Sequence, residues 1–137
     1  MGTRSRIAAQ MADGSFASIY CHWDGYPSHN GAVLLAHYAT PDKVARLIRL
    51  GDLSVLAASP AKPKGHTFTA PVGGHCVAYG RDRGEKDCRA LTGPTLASVT
   101  PDGGWEEYIY VWRNGAWSYA PIGKRLRPLT PAACAKA

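Results

Sequence analysis

The chain has 137 residues, 45% of them hydrophobic and 19% charged, the length and balance of one globular domain with its own core, not of a disordered tail. Sixteen basic against ten acidic residues leave a net charge of +6. That excludes an acidic nucleic-acid mimic and admits nucleic acid, a nucleotide or an acidic protein surface as partner, although a basic excess also serves plain solubility.

Met1-Gly2-Thr3-Arg4-Ser5-Arg6 leads into polar–apolar alternation instead of the apolar stretch of a secretion signal. No run of eighteen apolar residues is present, so no membrane-spanning helix is expected. The four cysteines, Cys21, Cys76, Cys88 and Cys134, are scattered without a CxxC pair. They read as buried free thiols of a cytosolic protein.

Residues 4–11 alternate, Asp13-Gly14 follows, and Phe16 to Cys21 alternates in turn. Asp-Gly between two such runs predicts a hairpin with a two-residue type I′ turn, which pairs Met11 with Phe16 and Ile7 with Tyr20. Next come the loop-forming residues 22–31. A helix is expected to start near Ser28 to Asn30 and to carry Val33, Leu34, Ala36, His37 and Tyr38. A second helix opens at Thr40-Pro41 with Asp42 in its first turn. It carries a Val44, Leu47, Ile48 stripe and stops at Gly51.

Asp52 to Leu56 is a short apolar continuation beneath the helices. Residues 57–74, rich in Pro, Gly and Lys, read as a long surface loop with the mobility of such loops. His75 to Tyr79 reads as a strand that ends at Gly80, and residues 86–104 show no dominant period. Trp105 to Arg113, Asn114-Gly115 and Ala116 to Ala120 predict a second hairpin, with Trp112 facing Trp117 and Tyr110 facing Tyr119. Five aromatics then share one face, so both faces are covered or one is a binding surface. Residues 121–137 form a basic, Pro-containing tail on the surface. The expected fold is α+β in one compact domain. An antiparallel sheet of two β-hairpins plus a central strand packs against a helical pair.

Three segments could carry function. In the first, Cys21 to Gly31, adjacent Cys21 and His22 point to opposite faces of a strand, which disfavours a metal site or a Cys–His nucleophile pair. No metal or cofactor is expected. The segment can instead bind an anion at a helix start through backbone amides with Ser28 and Asn30, with His22, Trp23, Asp24 and Tyr26 around it. Equally, it can be a helix cap with Trp23 and Tyr26 plugged into the core. The second segment is Tyr79-Gly80-Arg81-Asp82-Arg83-Gly84-Glu85. Two guanidinium forks suit phosphate or carboxylate, unless Asp82 and Glu85 neutralise them in an ordinary charged turn. The third is the aromatic hairpin with Lys124, Arg125 and Arg127, a base-stacking surface or simply core.

The strings Ile19-Tyr20-Cys21-His22-Trp23-Asp24-Gly25-Tyr26-Pro27, Leu50-Gly51-Asp52-Leu53-Ser54 and Ala78-Tyr79-Gly80-Arg81-Asp82-Arg83-Gly84-Glu85, with Tyr108 to Val111 and Gly115 to Trp117, resemble a family of short uncharacterised proteins of tailed bacteriophages and prophages. The resemblance covers residues 1 to about 120. It implies a context, the cytoplasm of an infected bacterium, and transfers no catalytic residue. It favours a non-enzymatic protein that binds and blocks a bacterial defence protein or protein–nucleic-acid complex, for example an anti-CRISPR. A nucleotide-signal binding or cleaving protein and a single-stranded nucleic-acid binder stand beside it as alternatives.

Overall fold

In the computed structural model, which describes residues 2–136, the first hairpin pairs Ser5–Gln10 (β1) with Phe16–Cys21 (β2). Its register differs by one residue from the expected one: Ile7 faces Ile19 and Gln10 faces Phe16. The turn is the cause. Asp13 Oδ1 accepts from the Ser15 amide at 2.9 Å and from Ser15 Oγ at 2.6 Å, and in this turn only Gly14 adopts a left-handed φ, +88°. Met11 N donates to Ser15 O and Gly14 N to Met11 O, which makes a three-residue loop with a bulge. The slip places Tyr20 opposite Arg6, while Ile7, Ala9, Ala17, Ile19 and Cys21 join one buried cluster.

A π-helical turn over Pro27–Gly31 leads into Ala32–His37 (α1). Pro41–Arg49 (α2) follows, with Thr40 Oγ1 accepting from the Lys43 amide and Val44, Leu47 and Ile48 buried as their spacing predicts. Gly51, at φ +75°, ends it. A Cβ there would collide with the Cys88 carbonyl, so only glycine fits.

Leu53–Val55 (β3) and Val77–Ala78 (β4) are short. Tyr79–Arg83 (α3) is a single helical turn where a charged loop was expected. Leu91–Gly93 (β5), Tyr108–Arg113 (β6), Ala116–Pro121 (β7), Arg127–Pro128 (β8) and Pro131–Lys136 (α4) complete the chain. The eight strands form one mixed sheet in the order β4-β3-β2-β1-β6-β7-β8, with β5 paired to β2. β1 runs parallel to β6, and β2 runs parallel to β3. The α+β class therefore stands, but the sheet is not purely antiparallel and the strand near residue 77 lies at its edge. The first hairpin is central instead. Alternation reports which residues face the core and is silent on which distant strand lies alongside.

The second hairpin pairs Trp112 with Trp117 and Tyr110 with Tyr119. Asn114 and Gly115, at φ +55° and +75°, supply the two left-handed residues of its turn. Both of its faces are covered. Tyr110, Trp112 and Trp117 join the core under the helices, where Trp117 Nε1 donates to the Tyr38 carbonyl at 2.8 Å. Ile109 and Val111 pack with Ala8 and Ala120 beneath Leu96 and Leu126.

Two surface segments prove to be tied down. His66, in the 57–74 stretch, is 2% exposed and bonds both Asp82 and the Val72 amide. In the tail, Leu129 and Cys134 are buried in the main core. A single apolar residue after Pro128 and one cysteine give no periodic signal, so the local sequence does not reveal this docking.

Candidate functional site

The second segment is closed by its own neighbours. Arg81 donates from Nε to Asp82 Oδ1 at 2.9 Å, from Nη1 to the Pro60 carbonyl at 2.6 Å, and from Nη2 to the Cys76 carbonyl at 3.0 Å and Asp82 Oδ2 at 3.1 Å. Four of its five N–H groups are occupied, which leaves no fork for a ligand. Asp82 also accepts from the Ala78 amide at 2.8 Å. Burial works to raise its pKa, but these bonds with the Arg81 charge and His66 outweigh burial and hold it below the ordinary range. Arg83 pairs with Glu85 and lies over Phe68 at 4.4 Å and Tyr79 at 4.8 Å from the ring centroids. Arg81 is thus locked internally, while Arg83 and Glu85 form a half-exposed pair, the charged-turn alternative to a ligand fork.

The helix-start anion site is likewise closed. The His29 and Asn30 amides donate to Tyr26 and Asp24 carbonyls. Asn30 is fully buried, with Nδ2 near Ser5 Oγ, Cys21 Sγ and the Trp23 carbonyl, and with Oδ1 2.9 Å from His29 Nδ1. Asp24, at φ +57°, accepts from the Tyr26 hydroxyl at 2.9 Å. Ser28 is exposed beside an apolar groove between α1 and α4, lined with it by Leu35 and Cys134. Trp23 is no core plug: it remains 42% exposed.

An open site forms elsewhere, on the sheet face away from the helices. Arg6 and Tyr20 are cross-strand partners. Arg4 and His22 extend the same face by the two-residue period of a strand. The loop carrying Val99, whose carbonyl accepts from Ser18 Oγ at 2.6 Å, covers the face near Ala8. Toward Arg4 and His22 the face is open, with Arg4, Tyr20, His22, Asp52 and Tyr79 all partly exposed. Tyr20 Oη lies 2.8 Å from His22 Nδ1. The Arg4 guanidinium stands beside that hydroxyl, and its centre is 5.8 Å from the Trp105 ring centroid. Trp105 is 79% exposed. The His22 ring meets Trp23 edge-on at 4.7 Å.

The floor is polar and satisfied. Arg6 Nε donates to Glu106 Oε2 at 2.7 Å and Nη1 to Ser18 Oγ at 3.0 Å. Asp52 Oδ1 accepts from the Tyr20 amide at 2.9 Å, yet burial first of all raises its pKa. Partial burial and the Arg4 charge lower that of His22, so its imidazole is neutral at pH 7. Of the residues singled out in the sequence, His22, Trp23 and Tyr79 share this face. Tyr79 closes the far edge together with Arg83, which lies over its ring. Arg81 and Asp82 turn to the 57–74 loop, while Asn30 faces the core. Arg4 and Trp105 join the site without any local motif, and Tyr20 and Asp52 come from strings that gave them no role of their own. Their common face follows from the hairpin register and the parallel β1–β6 pairing, neither readable from spacing.

Among the described residues, no three His, Cys, Asp or Glu side chains gather to hold a metal ion. Among the same residues no helix is long and apolar enough to cross a membrane. Comparison with known proteins returns no matching family model, curated protein or solved structure.

Proposed function

We propose that the chain is a non-enzymatic binding protein whose open sheet face docks a bacterial defence protein or protein–nucleic-acid complex and blocks it, as an anti-CRISPR of phage type would. The motif resemblance supplies the context. The observation that supports the docking face is the pair of exposed tryptophans, Trp105 against Arg4 and Trp23 against His22. Tryptophan and arginine are the residues that most often dominate binding energy at protein interfaces.

The test is affinity capture of a tagged chain from defence-carrying bacteria, beside an interference assay. A partner that co-purifies with wild type and is lost with Trp23→Ala and Trp105→Ala supports the reading. Full inhibition by the double variant sinks it.

A further inference from the structure

We infer that Arg4, Tyr20 and His22, between the Trp105 and Trp23 rings, form a binding site for a nucleoside monophosphate unit. This claim stands apart from the docking reading, since ligand occupancy and partner capture are measured separately.

The hydrogen-bond chain sets the chemistry. A guanidinium offers only donors, so the Tyr20 oxygen best meets the neighbouring Arg4 charge with its lone pairs when the tyrosine O–H turns to His22 Nδ1, 2.8 Å away. A ring nitrogen that accepts leaves the imidazole proton on Nε2. Nε2 has no partner among the described residues, and its N–H is a donor next to the Arg4 charge. Arg4 itself has no carboxylate within salt-bridge distance among the described residues, whereas Arg6, Arg81 and Arg83 each have one. Glu106, on the floor of the same face, is neutralised by Arg6. Two donors around one uncompensated positive charge suit the several acceptor oxygens of a phosphate.

The aromatic rings select a planar group attached to it. Trp105 presents its face at the Arg4 end. Trp23 is braced by His22 and lies where a side chain at position 2 would be, since a Cβ on Gly2 would come within 2.7 Å of its ring. Indole faces stack any nucleobase.

Intrinsic fluorescence and calorimetric titrations with AMP, adenosine and a 5′-phosphorylated adenine hexanucleotide test the site. AMP is expected to saturate, with adenosine at least roughly tenfold weaker, the effect of one charge-assisted phosphate contact. Arg4→Gln removes the difference between AMP and adenosine, Arg4→Lys retains part of it, and Trp105→Ala weakens both ligands. Thermal melts of each variant establish that it is folded. A hexanucleotide bound at least about tenfold more tightly than AMP identifies a strand end as the ligand, and equal affinity identifies a free nucleotide. Absence of saturation by AMP and hexanucleotide alike, or an undiminished phosphate preference in folded Arg4→Gln, overturns the inference.

Discussion

His66 Nε2 lies 3.3 Å from Asp82 Oδ2, with both side chains closed to solvent. The other ring nitrogen accepts from the Val72 amide at 3.0 Å. One imidazole thereby joins the 57–74 stretch to α3. His66→Ala leaves a buried carboxylate one donor short and opens a cavity. A loss of about 2–4 kcal/mol is expected in urea unfolding, with new proteolytic cleavage in the 57–74 stretch. An unchanged midpoint and an uncut loop would show that the lock is not holding.

Asp82 and Asp52 predict opposite limbs of the stability–pH curve. Because the folded-state pKa of Asp82 is depressed, its contribution is full above the unfolded value of about 3.9 and is lost as pH falls through the folded value. Asp52 is raised by burial, so its ionisation opposes folding, and stability declines as pH rises from the unfolded value through the folded one. Asp52→Asn retains an acceptor for the Tyr20 amide and is expected to be neutral or stabilising at pH 7. Asp82→Asn is destabilising there and flattens the acid limb. Chemical denaturation from pH 3 to 7 separates the two.

Trp105→Ala removes a side chain that is mostly in water, so stability shifts by less than roughly 0.5 kcal/mol. The same change costs about 2 kcal/mol or more in partner affinity if Trp105 anchors the interface. Surface plasmon resonance against the captured partner, paired with a thermal melt, reads both numbers from one preparation.

Thiol labelling should resolve the four cysteines. Cys88 is only half-buried, within a cleft of about 950 Å³ that also involves Arg49 and Arg89. Cys21 is wholly enclosed, and burial pushes its thiol up to about 12. Exposure and thiolate fraction both govern reactivity. Burial and Glu85 push the Cys88 thiol up, so its labelling is expected to be slower than that of a free thiol but still the first in the native protein, abolished by Cys88→Ser, with Cys21 and Cys76 modified only on unfolding.

Asn114 holds a left-handed φ of +55°. Asn114→Ala should cost about 1–2 kcal/mol, measurable as a lower urea midpoint, and Asn114→Gly should cost far less.

The same turn explains what local sequence can and cannot convey. Asn tolerates the left-handed region, so Asn114-Gly115 specifies a two-residue turn and with it the Trp112–Trp117 register. Asp13-Gly14 looks equivalent, but the Asp13 carboxylate finds Ser15 two residues on and holds its backbone out of that region. The Ser15 hydroxyl and amide, where the second turn has Ala116, thus move Tyr20 from the expected partner, Ile7, to Arg6, and onto the open face. The α2 cap and stripe were readable because every contributing residue lies within one helix. Arg81 was misleading for a related reason: its carbonyl partners, on Pro60 and Cys76, come from a segment whose path has no period. Arg4 carried no signal at all, because its setting is made by Trp105, about a hundred residues away.

That separation also governs how the molecule is made. β1 lies in the middle of the sheet, yet its partner on one side, β6, is synthesised roughly a hundred residues later. At translation speeds of about 5–20 residues per second, the emerging chain carries an unsatisfied row of peptide groups along its first strand for several seconds. The nascent protein is consequently most vulnerable to misassociation before release from the ribosome, and a stop codon anywhere upstream of Tyr108 would leave that vulnerability permanent.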